Sequence, residues 1–240
     1  MEQPKIDLSQ HAREHVISGR SLDAYANTLG FTLADLEGHQ VLNFGCGGSN
    51  LGAELAKAGI NCTVTDTDIL PNPHTVHDER LSDEERWRRS GILRSKIADH
   101  EDGQPSLPAV EAHENTLLGI EDRTFVQLTP HAPLPFPDNH FDDALVLWVY
   151  HQLPWENRTK YLTELLRVAR TVRIAPAGQR ELTEITDFLK DHPEVRLTTS
   201  PCTARANSGP PRTIPELDID YTTYPRAVTA NHAVRVVLER

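Results

Sequence analysis

The chain has little of what marks several common classes of protein. Its three cysteines, Cys46, Cys62 and Cys202, are an odd number at no metal-ligand spacing, which suggests neither a disulfide framework nor a zinc site and fits a reducing cytoplasm. The 12 histidines contain no His-Glu-x-x-His pattern, and His74 with His77 in a proline-rich loop is a weak metal signal, so no metal is expected. The longest apolar run, Ala144 to Tyr150, is far too short to span a bilayer, and the opening Met-Glu-Gln-Pro-Lys-Ile-Asp has no apolar core for export. A soluble, intracellular protein is the expectation. Positive charge is scarce too: a net charge of −11 and a pI near 5.5 argue against a nucleic-acid backbone as partner, because such binding neutralises phosphates with Lys and Arg. One basic cluster, Arg86 to Lys96, follows Asp83, Glu84 and Glu85 and reads as a solvated helix. No internal repeat is visible.

What is present centres on Val41 to Asp68. A buried strand (Val41-Leu42-Asn43-Phe44) runs into a glycine turn (Gly45-Cys46-Gly47-Gly48-Ser49), an amphipathic helix (Leu51, Leu55, Ala58) and a second strand ending at Asp66. This order is a βαβ half of a nucleotide-binding sheet. Glycines at the strand-to-helix turn let a ligand lie against bare backbone, and an acid closing the second strand can accept both ribose hydroxyls. A nicotinamide enzyme fits poorly, because the Gly-x-Gly-x-x-Gly pattern fails at Asn50 and no phosphate-directed basic residue follows.

A chain of 240 residues can bury one sizeable core, so a single domain over 1–240 is expected. Residues 1–36 read as a polar helical segment in which Ser21 caps a helix carrying Leu22, Tyr25 and Leu29, and Gly30 ends it. Residues 67–121 read as a helical insertion, with a capping box at Ser82 and Glu85 and a second helix through Val110, His113, Leu117 and Ile120. Further strands are predicted at Thr124 to Leu128, Ala144 to Trp148 and Val172 to Ala175, with a short one at Val195 to Leu197. Helices are predicted after Pro154, through Tyr161, Leu162, Leu165, Leu166 and Ala169, and over Leu182, Ile185 and Leu189. Residues 200–218 form a proline-rich loop, and Ile219 to Tyr224 with Ala233 to Leu238 read as a closing strand pair. The alternation predicts an α/β fold: a Rossmann-like, doubly wound, mostly parallel seven-stranded sheet with one antiparallel edge strand, and ligands at the carboxyl ends of the strands.

These residues resemble the class I S-adenosylmethionine-dependent methyltransferases, in particular the small-molecule group with a Leu-Pro-Phe turn. The resemblance rests on Asn43 with Gly45-Cys46-Gly47-Gly48-Ser49, on Leu134-Pro135-Phe136-Pro137-Asp138 followed by Phe141-Asp142 and an apolar strand, and on Glu164 to Arg170 before the fifth strand; it covers roughly residues 16–176. It implies S-adenosyl-L-methionine as cofactor and a small-molecule acceptor. It also implies cofactor contacts at Asn43, Gly45, Cys46, Gly47, Ser49, Asp66, Thr67, Asp68, Thr129 and Trp148. Asp66 is the ungapped match to the family's ribose-binding acid, with Asp68 as rival. Three departures stand out: Asn43 replaces the acid near the cofactor's ammonium group, Ser49 replaces the third glycine, and Thr129-Pro130-His131 stands where an acid usually meets the adenine.

Transfer from a sulfonium carbon needs alignment and exclusion of water more than a dedicated triad. If a base is used, the end of the fourth strand offers Tyr150 and His151, the latter with an ordinary pKa near neutrality; the alternative is a structural histidine packed against Trp155. Cys46 reads as small-residue packing in the turn, against a thiol activated by a helix N-terminus. Residues 226–231 and the inserted helices are expected to shape the acceptor site. A methyltransferase-like protein that has lost cofactor binding or transfer and serves as a binding or regulatory module is the alternative function.

Overall fold

The strands form where aliphatic and β-branched residues alternate or run together, and the sheet they build carries everything else. The computed structural model describes residues 20–68, 124–202, 213–214, 219–220 and 233–240, apart from the single residues 48, 130 and 154. In chain order the strands are β1 (Gln40–Phe44), β2 (Thr63–Asp68), β3 (Thr124–Gln127), β4 (Phe141–Leu147), β5 (Ala169–Ala177), β6 (Arg196–Pro201), β7 (Thr213–Ile214), β8 (Ile219–Asp220) and β9 (Val234–Glu239). Seven of them form one sheet in the order β3-β2-β1-β4-β5-β9-β6, and among the described residues β7 and β8 pair with each other. The first five strands of that order run parallel, and β9 runs antiparallel to both β5 and β6. This is the expected Rossmann-like doubly wound sheet with its antiparallel edge.

Both faces are covered, as a parallel sheet requires. Helices α1 (Leu22–Leu29) and α2 (Leu51–Lys57) pack Tyr25, Leu29, Leu51 and Leu55 against Val41, Val64, Leu145 and Leu147. On the other face α3 (Trp155–Val168) and α4 (Gln179–Leu189) pack Leu162, Leu165 and Ile185 against Leu42, Ala144, Val146 and Ile174. Each buried leucine, isoleucine or valine among them contributes about 1.5–3 kcal/mol. Helix α1 begins and ends as its sequence dictates: the Ser21 side chain accepts from the Ala24 N–H at 3.3 Å, and Gly30 closes it at φ 72. A short 3₁₀ turn, Leu33–Leu36, leads into β1.

Several boundaries differ from expectation, each for a tertiary reason. Strand β2 continues past Asp66 to Asp68, because Thr67 O accepts from Gly45 N and Cys46 N on one side and Asp68 O accepts from Leu128 N on the other. Strand β4 starts at Phe141, before the apolar run, because the Asp143 carboxylate is buried between His39 Nδ1 at 2.8 Å and Arg173 Nε at 3.0 Å. It stops before Trp148, whose φ is +61. Strand β5 runs from Ala169 to Ala177, so Ala169 pairs with Phe141 and does not continue the face of α3. The expected short strand at Val195 to Leu197 is β6, which begins at Arg196 and runs to Pro201. The expected closing pair does not form: Ile219–Asp220 pairs with Thr213–Ile214, while Val234–Glu239 enters the main sheet, where Val236 and Leu238 become wholly buried.

The Leu-Pro-Phe turn is held by α3. Glu164 Oε2 accepts from Leu134 N at 2.8 Å, and the Arg167 guanidinium donates to Leu134 O at 2.9 Å, Phe136 O at 2.8 Å and Asp138 at 2.8 Å. The two stretches are therefore one mechanical unit, joining the approach to β4 with the approach to β5. Expectations for residues 1–19 of the N-terminal segment, for the insertion beyond Asp68, for residues 203–212 and for 226–231 fall outside the described residues.

Candidate functional site

At the carboxyl ends of β1, β2 and β4 the backbone turns sharply, with positive φ at Gly45, Gly47 and Trp148. Gly45 (φ 70) and Gly47 (φ 53) take backbone angles that favour glycine. A Cβ on Gly45 would stand 2.6 Å from Val149 Cγ2, so this glycine lets the β1 turn close against the segment after β4. Gly47 serves a different contact: its N–H donates to Asp68 Oδ2 at 2.9 Å, tying the turn to the tip of β2. Ser49 N donates to Cys46 O at 2.9 Å, and α2 starts two residues later.

Beneath this turn lies a buried polar chain. Asn43 and Asp66 are register partners on β1 and β2. Tyr25, from α1, donates its hydroxyl to Asn43 Oδ1 at 2.8 Å, and Asn43 Nδ2 donates to Asp66 Oδ1 at 2.7 Å. Thr67 Oγ1 donates to Asn43 O at 3.2 Å. Asn43 and Thr67 are wholly buried and Asp66 nearly so, while Asp68 at the strand tip is half-buried. The Asn43 amide uses both its ends, accepting from a hydroxyl and donating to a carboxylate. A carboxylate at 43 would face Asp66 at the same distance and repel it. Burial above all pushes the Tyr25 hydroxyl well above its ordinary pKa, which keeps it a donor.

Cys46 is buried, and its thiol is pushed well above the ordinary range by burial first and by Asp66 and Asp68 next. The packing reading of this residue holds; a helix N-terminus does not activate it.

The end of β4 supplies the other wall. The buried Trp148 ring packs edge-on against the His151 ring with centroids 5.8 Å apart, and the Arg20 guanidinium lies 5.2 Å from the Trp148 ring centre. His151 therefore packs against Trp148, whereas Trp155, its expected neighbour, is 63% exposed. His151 Nδ1 is buried with no hydrogen-bond partner among the described residues, and burial is the main cause that pushes its pKa down. Tyr150 is buried with the α3 side of the core, and burial raises its hydroxyl to about 12. The turn bearing both is clamped by Arg158, which donates to His151 O at 2.7 Å and Leu153 O at 3.1 Å while pairing with Glu181 and Glu184 at 3.2 and 2.9 Å. Thr129 is exposed at the end of β3.

The structure thus brings Asn43, Asp66, Asp68, Thr67 and the glycine turn together, and sets Trp148 with His151. Sequence reasoning missed Tyr25, Arg20 and Arg158. Tyr25 was in view only as part of the apolar face of α1, and nothing in a helical period says that one hydroxyl on that face meets a strand tip.

Residues 42–171 match the family model of the methyltransferase domain. The chain belongs to the class I S-adenosylmethionine-dependent methyltransferase-like family. Solved structures of methyltransferases resemble it at low identity. An S-adenosylmethionine-dependent methyltransferase from Aquifex aeolicus is 16% identical, over 84% of this chain and 82% of that one, with a TM-score of 0.40. A Thermotoga maritima O-methyltransferase is 15% identical over 87% and 62%, with a TM-score of 0.44. The plantazolicin methyltransferase in complex with SAH is 14% identical over 91% and 82%, with a TM-score of 0.42. No curated protein matches the chain by sequence. The donor of this methyltransferase-like family is S-adenosylmethionine, and the donor set here suits it: a turn without side chains at Gly45 and Gly47, and carboxylates at and just below the tip of β2.

Proposed function

We propose that this chain, read as one methyltransferase-like domain over 1–240, transfers a methyl group from S-adenosylmethionine to a small-molecule acceptor. The observation that carries the reading is the tie between Gly47 N and Asp68 Oδ2, which sets an acid beside a glycine turn at the carboxyl edge of the sheet. A nucleoside can lie on Gly45, Cys46 and Gly47 with its ribose toward β2. Thr129 lies toward the adenine side, and Trp148 walls the end where the methyl group is presented. Thr67 and Ser49 brace the turn from below. S-adenosylmethionine, when bound, supplies an electrophilic methyl group; the protein's share is to align the acceptor and exclude water.

His151 is the candidate base. Burial depresses its pKa and so keeps the imidazole neutral, able to take a proton from a hydroxyl or amine at neutral pH. Tyr150 backs the same turn from the core. The net charge of −11 favours a small acceptor over a nucleic acid, and three cysteines at no paired spacing fit a cytoplasmic setting.

Calorimetry and thermal shift with S-adenosylmethionine and S-adenosylhomocysteine test the reading; no heat and no shift at millimolar ligand would sink it. A second reading, a module that binds the donor without transferring its methyl group, is favoured by the commitment of both ends of the Asn43 amide to Tyr25 and Asp66. Labelled donor that binds yet passes no label to any small molecule of a cell extract would select it.

A further inference from the structure

The Asn43 departure from the family pattern sits in the middle of a buried chain. Tyr25 stands at one end, its hydroxyl donating to Asn43 Oδ1 at 2.8 Å. With its oxygen occupied in this way, the Asn43 amide can turn only its NH₂ toward β2, where it donates to Asp66 Oδ1 at 2.7 Å. The amide at 43 and the carboxylate at 66 together carry one negative charge where an acid at both positions would carry two.

The two aspartates of β2 also differ in place. Asp68 is at the strand tip, half-buried, on the N–H of Gly47. Asp66 lies one step lower, level with Asn43 across the β1–β2 ladder, and is 6% exposed. A carboxylate at the tip suits hydroxyls arriving over the glycine turn. A carboxylate sunk below it, ionised at the cost of desolvation, gains most from a cation.

We propose that Tyr25 is a positioning residue of the donor site: acting through Asn43, it holds Asp66 as the anion for the cofactor's ammonium group, and Asp68 takes the ribose. This rests on the donor-binding reading above. It also makes α1 part of the site, since the helix that covers the sheet orients the charge within it.

The test uses the full chain and two probes. S-adenosylhomocysteine carries the ammonium group, and 5′-methylthioadenosine has the same adenosine and thioether without the amino-acid part. Asp66→Asn should weaken S-adenosylhomocysteine by about tenfold or more, the loss of a charge-assisted contact, and leave 5′-methylthioadenosine within about twofold. Tyr25→Phe should show the same selectivity with a smaller loss. Asp68→Asn should weaken both probes alike. The exchange Asn43→Asp with Asp66→Asn keeps one charge and one amide, and should recover most of the S-adenosylhomocysteine affinity lost in Asp66→Asn. Thermal melts of each variant separate this pattern from a folding defect, which would weaken both probes together. Equal loss of both probes in Asp66→Asn would overturn the assignment, as would an exchange variant no better than Asp66→Asn alone. Failure of the unsubstituted chain to bind S-adenosylhomocysteine would instead remove the donor-binding reading beneath it.

Discussion

Asn43 Nδ2 donates to Asp66 Oδ1 at 2.7 Å, between two residues that are register partners on β1 and β2 and 23 positions apart in the chain. The contact explains why an amide and not an acid occupies position 43. Asn43→Asp puts two carboxylates in contact in a buried site, and we expect it to cost on the order of 3 kcal/mol at neutral pH. In a chain of this size that is a fall of roughly 6–12 °C in Tm. Proton sharing raises the folded-state pKa of the pair above the unfolded value, so the deficit should shrink as pH falls toward 5. Melts of variant and parent across pH 5–8 measure it; a deficit independent of pH would dismiss the repulsion.

Gly45→Ala should destabilise through two separable causes. The φ of 70 disfavours any side chain, at about 1–3 kcal/mol, and the added Cβ would meet Val149 Cγ2 at 2.6 Å. Adding Val149→Ala should relieve the second cause alone. Urea unfolding should therefore rank the parent first, then the double variant after correction for Val149→Ala, then Gly45→Ala; equal values for the corrected double and single variants would show that the clash is absorbed without cost.

The Leu-Pro-Phe turn depends on the forked guanidinium of Arg167, which serves Leu134 O and Phe136 O at once. A lysine cannot reproduce that fork, and Arg167→Lys should cost about 1–3 kcal/mol in urea unfolding. Glu164 adds a pH signature. Its pKa is held below the ordinary 4.5, first by the hydrogen bond from Arg167. That stability is present above pH 4.5 and is lost as pH falls through the lower folded-state value. The lysine variant should lose less stability than the parent across this acid window.

His151 gives a pH dependence of the same sign in a higher window. Burial lowers its folded-state pKa beneath the ordinary 6.5, so the folded chain binds fewer protons than the unfolded one and stability falls as pH drops below 6.5. His151→Gln removes this term and should narrow the difference in Tm between pH 7.5 and 5.5. An imidazole titration by NMR at or above the ordinary value would contradict the burial argument.

The β1-turn-α2-β2 unit, the amphipathic α1 with its Ser21 and Gly30 caps, the apolar body of β4 and the Leu-Pro-Phe turn were all legible from residue order. They depend on local rules: a period of two or of 3.6, a cap, a glycine where a turn needs one. The early start of β4 was not, because Asp142 and Asp143 look like loop residues until His39 and Arg173 are known to surround Asp143. The place of β9 was not either, since its alternation is the same for a hairpin partner as for a strand between β5 and β6. Histidine 151 was singled out correctly as a residue of the β4 turn, but its ring neighbour is Trp148 rather than Trp155.

For this chain, then, residue order determined the doubly wound sheet and the methyltransferase-domain family. Tertiary structure alone decided how Asn43 and Asp66 divide one charge, that Tyr25 reaches them from α1, and that β2 carries its tip on to Asp68. Periodicity acts through the backbone and can be read from neighbours in sequence. The meaning of a buried polar side chain depends on a partner brought up through space, and for Asn43 those partners are a helix hydroxyl and a strand carboxylate that residue order does not place beside it.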